Sequence, residues 1–110
     1  MPEYEVDEII NRMKSHNNVQ AVLIINQEGV PIYSSTSDEE FAMDHAALLS
    51  QLTMKAKSMI CSLDPTDDMA FLRIRSKKHD IMIAPDKEYA LIVIQNLTNT
   101  GMKLDNTSNN

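Results

Sequence analysis

The sequence predicts a layered α+β domain, in which five antiparallel strands form one sheet flanked by helices. Three observations support this prediction. The chain has 110 residues, which is enough for one compact domain and too few for two. Five short apolar segments resemble strands, and brief polar turns connect the last three of them. Two further segments have the apolar spacing of helices. The predicted order is helix, strand, strand, long helix and three strands. We expect residues 1–96 to form this single domain and residues 97–110 to be a polar, disordered tail.

The N-terminal part of the chain predicts one helix and two strands. Residues 3–15 have apolar residues at helical spacing: Val6, Ile9, Ile10 and Met13. Residues 19–26, VQAVLIIN, are apolar almost throughout, which is typical of a central strand covered on both faces. Gly29 lies in the turn that follows, where a positive φ is expected. Pro31 lies in the next strand, VPIYSS, and cannot donate a ladder hydrogen bond, so this strand is predicted at a sheet edge.

Residues 38–63 predict a long helix with two apolar bands. Ser37 and Glu40 match a capping box at its start, and Pro65 ends it, because the residue before proline avoids the helical region. The first band contains Phe41, Leu48, Leu52, Met59 and Leu63, with Leu49 and Ile60 at its margin. The second band contains Met43, Ala47, Met54 and Cys61. Since a surface helix normally has one apolar face, two bands indicate either two packing partners or a helix buried deeply in one core.

The C-terminal part predicts three strands, MAFLRIRS, DIMIAP and YALIVIQN, whose short connections require antiparallel pairing. Alternation along the first of them places Phe71, Arg73 and Arg75 on one face. Leu72 and Ile74 then face the long helix. We predict that this strand is the second edge of the sheet, where it can pair with another chain.

Composition and charge argue against several classes of protein. Arg73, Arg75, Lys77 and Lys78 lie close together, but the net charge of -6 and the pI of about 4.9 argue against binding to nucleic acid. We expect both lysines to be solvated turn residues. No apolar run is long enough to cross a membrane, and the acidic N-terminus does not resemble a secretory signal. The single cysteine, Cys61, rules out an internal disulfide and fits a reducing compartment.

No group of residues in the sequence has the spacing of an active site or a metal centre. The histidines lie in three different predicted elements: His16, His45 and His79. Asp64, Asp67 and Asp68 follow the long helix, where aspartates commonly make local turn hydrogen bonds. We expect Cys61 to be a small buried hydrophobic residue. The sequence therefore predicts a protein that is not an enzyme and has no catalytic residues, metal or cofactor.

Two segments, NQEGVPIYS and DPTDDMAFLRIRSKKHDIMIAPDKEYALIVIQN, resemble the Roadblock-type light chains of cytoplasmic and axonemal dynein. The resemblance extends from Val6 to Asn96, although the long helix matches mainly by pattern and the tail after Asn96 is extra. It implies the Roadblock fold and a homodimer. In that dimer the third strands pair across a two-fold axis, the long helices pack together, and the two sheets form one continuous ten-stranded sheet.

The resemblance also implies a function. Family members bind the dynein intermediate chain in the non-catalytic, cargo-binding part of the motor, so we expect a cytoplasmic, microtubule-associated protein or one of the ciliary or flagellar axoneme. Related domains regulate small GTPases, which is the main alternative. The sequence leaves open which dynein is served, and whether the partner copy is identical or a paralogue.

These considerations select the residues of two surfaces. The predicted dimer interface contains Met43, Ala47, Leu48, Met54, Cys61, Phe71, Leu72, Arg73, Ile74 and Arg75. The predicted partner-binding residues, on the open sheet face near the two-fold axis, are Phe71, Arg73 and Arg75.

Overall fold

The computed structural model describes residues 18–97 together with Asp7, Glu8 and Arg12. These three residues are helical, and they belong to the first helix predicted from the sequence. The rest of that helix and the tail beyond residue 97 lie outside the described residues. Within the described part of the chain, no helix is long and apolar enough to cross a membrane.

Five strands form one antiparallel sheet, and one long helix packs on it. The elements in chain order are β1 (Val19–Asn26), β2 (Pro31–Ser34), α1 (Glu39–Leu63), β3 (Leu72–Arg75), β4 (His79–Pro85) and β5 (Tyr89–Asn96). Their order across the sheet is β2-β1-β5-β4-β3. The α+β prediction is therefore confirmed. The apolar strands β1 and β5 are central, and the strands β2 and β3 lie at the two edges, as predicted.

The core lies between α1 and one face of the sheet. Leu23 is opposite Ile92, and Ile92 is opposite Ile83, so side chains from three neighbouring strands meet on this face. All three are fully buried. The helix contributes Ala42, Ala46 and Leu49 to the same cluster. Two of these three are alanines, so the helix supplies little of the core volume and the strands supply most of it.

The N-cap of α1 is Asp38, which corrects the predicted capping box by one residue. The Asp38 carboxylate accepts a hydrogen bond from the backbone N–H of Phe41 at 3.1 Å, whereas Ser37 makes no such bond. A charged cap at this position is favoured by the helix dipole, and Glu39 and Glu40 add negative charge to the first turn. At the other end, the backbone N–H of Asp64 donates to the carbonyl of Ile60, just before the proline that stops the helix.

Strand β3 is shorter than predicted. The sequence pattern predicts a strand over residues 69–76, but the paired segment is Leu72–Arg75. Leu72 lies opposite Ile83, so the same register would place residue 70 opposite Pro85. Since proline has no N–H to donate, the ladder loses a bond there, which accounts for the early end of the pairing. The short β3 leaves Phe71 outside the strand, with 52 % of its surface exposed.

The β1–β2 turn requires glycine at position 29. Gly29 has φ of +80°, and its N–H donates to the carbonyl of Asn26. A Cβ atom at this position would lie 3.0 Å from the Cβ of Ser50 on α1. The predicted positive φ is confirmed, and the structure adds a close approach between this turn and the helix.

Candidate interaction site

Most residues of the two apolar bands predicted on α1 lie outside its contact with the sheet, whereas Phe41 of the first band and Leu49 at its margin pack at the core. The residues of the helix that are buried are Ala42, Ala46, Leu49 and Thr53, which lie between the bands. The large exposed side chains of the first band are Leu48, Leu52, Met59 and Leu63, and those of the second are Met43 and Met54. Their exposed fractions range from 42 % to 80 %. The alternative of a helix buried deeply in one core is therefore wrong for the described chain.

The helix residues predicted at the dimer interface are all on the surface of the chain. Met43, Leu48 and Met54 are among its exposed large apolar side chains, and Ala47 is also exposed. Cys61 is exposed as well, which corrects the expectation of a buried cysteine. Its Sγ donates to the carbonyl oxygen of Asp67 at 3.5 Å. The position near the last turn of the helix, beyond the end of the core cluster, accounts for this exposure.

Strand β3 offers an edge for pairing. It pairs with β4 on one side, and no strand borders its other side among the described residues. Leu72 and Ile74 pack partly buried against the core cluster under α1, as predicted. Arg73 and Arg75 are exposed on the opposite face. An unpaired edge with a row of free backbone groups can accept a strand from another chain.

Arg73 and Arg75 share a buried partner, Asp80 of β4. Asp80 has 2 % of its surface exposed. Its Oδ2 accepts hydrogen bonds from Nη2 of Arg73 at 2.6 Å and from Nη2 of Arg75 at 3.1 Å. The Nε of Arg73 also donates to Oδ1 at 3.1 Å. One carboxylate thus holds two guanidinium groups on the sheet face that points away from α1.

The register of the β3–β4 ladder explains this arrangement. Arg75 lies directly opposite Asp80, and Arg73 is opposite Met82, so Asp80 and Arg73 are diagonal neighbours on the same face. Sequence reasoning missed Asp80. The signal that could have found it is the alternation in β4, which places Asp80 on the face of both arginines once the hairpin register is known.

The electrostatics of the Arg73–Asp80–Arg75 cluster favour the charged forms. Hydrogen bonds from Arg73 lower the pKa of Asp80, and those from Arg75 lower it further, against the opposing effect of burial. The hydrogen bond to Asp80 and its charge in turn raise the pKa of Arg73. Since one negative charge faces two positive charges, the cluster carries one net positive charge at neutral pH.

The other residues singled out in the sequence have local roles. Lys77 and Lys78 are exposed in the β3–β4 turn, as expected. Asp64 accepts hydrogen bonds from the backbone and hydroxyl of Thr66, which lower its pKa. The ring of His45 stacks on Phe41 with centroids 3.9 Å apart. Among the described residues, no three His, Cys, Asp or Glu side chains are grouped so that they could hold a metal ion.

The family model described as Roadblock/LC7 domain matches residues 5–96 of the chain. The chain belongs to the Roadblock/LC7 domain family. The match includes α1, all five strands and the complete Arg73–Asp80–Arg75 cluster.

Solved Roadblock/LC7 structures share this fold. A Roadblock/LC7 domain from Streptomyces avermitilis is 14% identical, with a TM-score of 0.74, over 82% of this chain and 77% of that chain. Myxococcus xanthus MglB is 14% identical, with a TM-score of 0.70, over 87% of this chain and 79% of its own. A structure described as MglB with tetrameric arrangement is 9% identical, with a TM-score of 0.72, over 92% and 79%. At these identities the likeness is one of fold alone.

Proposed function

We propose that this Roadblock/LC7 chain is a non-catalytic light chain of the dynein motor complex. It pairs with a second copy of itself or with a paralogue, and the pair binds a segment of the dynein intermediate chain. In this role it supports motor assembly and cargo attachment in microtubule-based transport. The observation that carries the proposal is that the segment resembling dynein light chains, residues 64–96, forms the whole β3–β4–β5 part of the sheet, including its unpaired edge.

Two features of the surface support the proposal of self-pairing. Among residues 18–97, no strand pairs with the outer edge of β3, and pairing with the β3 of a second copy would join two sheets into one of ten strands. The exposed apolar side chains of α1 form bands larger than the scattered apolar residues of an ordinary surface helix. Packing two such helices together would remove this apolar surface from water, which stabilises the pair by the hydrophobic effect.

The proposed binding surface for the intermediate-chain segment is the sheet face opposite α1, close to the β3 edge. Phe71 is about half exposed there, and Arg73 and Arg75 offer hydrogen-bond donors. The central strands contribute the half-buried side chains Leu91 and Val93 to this face. A segment with both apolar and acidic residues would therefore find complementary contacts.

A second candidate function is the regulation or scaffolding of a small GTPase. The related solved structures favour this class over the dynein class, because they include MglB proteins and the Roadblock family contains regulators of small GTPases. The dynein proposal depends instead on the specific sequence block at residues 64–96. Both proposed functions require a dimer that binds another protein on its surface. The identity of that bound protein therefore distinguishes the two functions.

Affinity purification of the tagged chain from its own cells, followed by mass spectrometry, tests the two candidates. We expect the dynein intermediate chain to be recovered, and purified intermediate-chain fragment to bind the purified chain directly. Recovery of a small GTPase without intermediate chain would support the second candidate and contradict the first. Light scattering after gel filtration tests self-pairing, and a monomer at micromolar concentration would contradict it.

A further inference from the structure

We propose that the Arg73–Asp80–Arg75 cluster is a recognition site for the carboxylate groups of an acidic protein segment. The inference rests on the proposed function, since the segment would belong to the partner protein that the light chain binds. It adds which groups make that contact. The guanidinium groups of two arginines, oriented by a buried aspartate, would donate hydrogen bonds to aspartate or glutamate side chains of the partner.

The geometry leaves guanidinium donors available. Arg73 uses Nε and Nη2 to hold Asp80, so its Nη1 donates to no protein atom among the described residues. Arg75 uses Nη2 alone, which leaves its Nε and Nη1 without a protein acceptor in the same part of the chain. Both side chains are about half exposed, at 53% and 50%. The unused N–H groups can therefore reach a carboxylate that approaches from solvent.

The buried carboxylate acts as a positioning group. A free arginine on an edge strand samples many rotamers, and ordering it on binding costs conformational entropy. Here Asp80 already holds Arg73 through both Nε and Nη2, and it holds Arg75 from the directly opposite position. Both guanidinium groups are thus oriented by Asp80 before a ligand arrives, which lowers the entropic cost of binding. A planar, preoriented guanidinium matches a carboxylate better than an ammonium group does.

The charge distribution selects an acidic protein segment. The chain has a net charge of -6, so a long polyanion such as nucleic acid is repelled by most of its surface. The cluster has one net positive charge, and Lys77 and Lys78 lie in the adjoining turn. A local positive patch on an acidic protein favours a ligand with a few carboxylates close together.

The test uses the full-length chain and a rhodamine-labelled peptide of alternating Ala and Glu, with the matching Ala–Gln peptide as the neutral probe. Fluorescence anisotropy measures binding at low and at high salt. We expect the Glu peptide to bind and the Gln peptide not to bind, with weaker binding as salt screens the contact. We expect Arg73→Gln and Arg75→Gln each to weaken binding by about three- to tenfold. The double variant Lys77→Gln/Lys78→Gln removes charge from the turn outside the cluster, and it should change binding less than about threefold.

Two further variants separate oriented recognition from simple charge attraction. Arg75→Lys keeps the charge but loses the planar fork, so weaker binding supports the proposal and unchanged binding overturns it. Asp80→Asn increases the positive charge of the cluster but releases its arginines. Weaker binding by this variant supports the proposal, and tighter binding overturns it.

Isotope-labelled arginine side chains followed by NMR should show the Nε signal of Arg75 shifting on titration with the Glu peptide. If this signal does not shift and the anisotropy of the labelled Glu peptide does not change when the chain is added, the proposed site is also overturned.

The outcome is distinguishable from that of the proposed function. If the chain binds intermediate-chain fragment but the Glu peptide binds no better than the Gln peptide, the carboxylate site is wrong and the dynein proposal stands. If the Glu peptide binds through the cluster but no intermediate chain is bound, the dynein proposal is wrong and the carboxylate site stands.

Discussion

Nη2 of Arg73 lies 2.6 Å from Oδ2 of Asp80, so an edge-strand arginine is joined to a carboxylate that has almost no contact with solvent. Arg75 holds the same oxygen atom from the position directly across the ladder. A buried carboxylate is tolerated because two guanidinium groups supply its hydrogen bonds and balance its charge. The arginines are in turn held on strand β3, whose other edge pairs with no strand in the described part of the chain. The same ion pairs therefore stabilise the β3–β4 pair and orient the two arginines on β3.

The change Asp80→Asn should destabilise the chain by about 1–3 kcal/mol, because charge-assisted hydrogen bonds are replaced by weaker ones and two neighbouring cations lose their counter-charge. This loss of unfolding free energy is modest because both arginines are half exposed, so water screens their charges. Urea unfolding followed by circular dichroism measures it. The matched control is Glu88→Gln, which also neutralises one carboxylate but lies exposed in the β4–β5 turn. Equal stability of the two variants would contradict the role of Asp80.

The contribution of Asp80 should depend on pH. Its pKa is lowered in the folded protein, mainly by hydrogen bonds from Arg73, from an ordinary value of 3.8. Because the pKa is lowered on folding, the ionised carboxylate stabilises the folded protein fully above pH 3.8. This stabilisation is lost as the pH falls through the pKa that Asp80 has in the folded protein. The difference in unfolding free energy between wild type and Asp80→Asn should therefore shrink below this pH. The pKa of Asp64 is also lowered, but Asp64 is present in both proteins and cancels in the difference. A constant difference down to about pH 2 would contradict the expectation.

The N-cap of α1 gives a direct comparison of structure with sequence. Asp38→Ala removes the acceptor for the N–H of Phe41 and should lower the free energy of unfolding by about 1 kcal/mol. Ser37→Ala, at the position that the sequence pattern selects, should change it by less than about 0.5 kcal/mol. Thermal and urea unfolding of both variants measure the effects. A larger loss for Ser37→Ala than for Asp38→Ala would place the cap where the sequence pattern predicts it.

The β1–β2 turn should not tolerate a side chain at position 29. Gly29→Ala requires a positive φ for a residue with a Cβ and places that atom 3.0 Å from the Cβ of Ser50. We expect a loss of about 1–3 kcal/mol in the free energy of unfolding. Glu28→Ala, in the same turn with an exposed side chain, is the control and should be nearly neutral. If both variants unfold at the same urea concentration, the close packing of this turn on α1 is not needed.

The exposed apolar surface of α1 should control self-pairing. Leu48 is 66% exposed in the single chain, so Leu48→Lys should leave the fold intact. If this surface is buried in a pair, the change should weaken association by about 2 kcal/mol or more, which is over tenfold in the dissociation constant. Analytical ultracentrifugation measures the dissociation constant. Gln51→Lys places the same side chain on the polar face of the helix and serves as the control. Equal association of the two variants would exclude this band from the interface.

Several elements could be predicted from local patterns. The strand β1 spans Val19–Asn26, the bounds that the sequence predicts, because a short apolar run rich in β-branched residues favours a strand over a helix. Pro31 marked its strand as an edge, since proline cannot join a ladder on both sides. The face assignment of Leu72 and Ile74 followed from strict alternation. Each of these predictions depends on residues that are near neighbours in the chain.

Other features depended on contacts that local patterns do not contain. The position of α1 on the sheet could not be predicted, because Ala42 and Ala46 form much of its buried seam, whereas Met43 and Leu48 on either side are exposed. Hydrophobicity alone favours burying the larger side chains. Small side chains instead make up much of this contact, together with Leu49 and Phe41, because the isoleucine and leucine residues of the sheet already occupy the core.

The class of fold, the two edges of the sheet and the family of the chain could all be predicted from the sequence. These depend on periodicity, on proline and on a long block of matching residues, all of which are properties of the linear chain. The link from Asp80 to Arg73 and Arg75 depends on tertiary structure, because the cluster forms only when the register of two strands places the three residues on one face. The tertiary structure also determines that most of the large apolar side chains in the two bands of α1 are exposed. Side-chain partners across strands and between layers follow from three-dimensional packing, which a one-dimensional pattern leaves open.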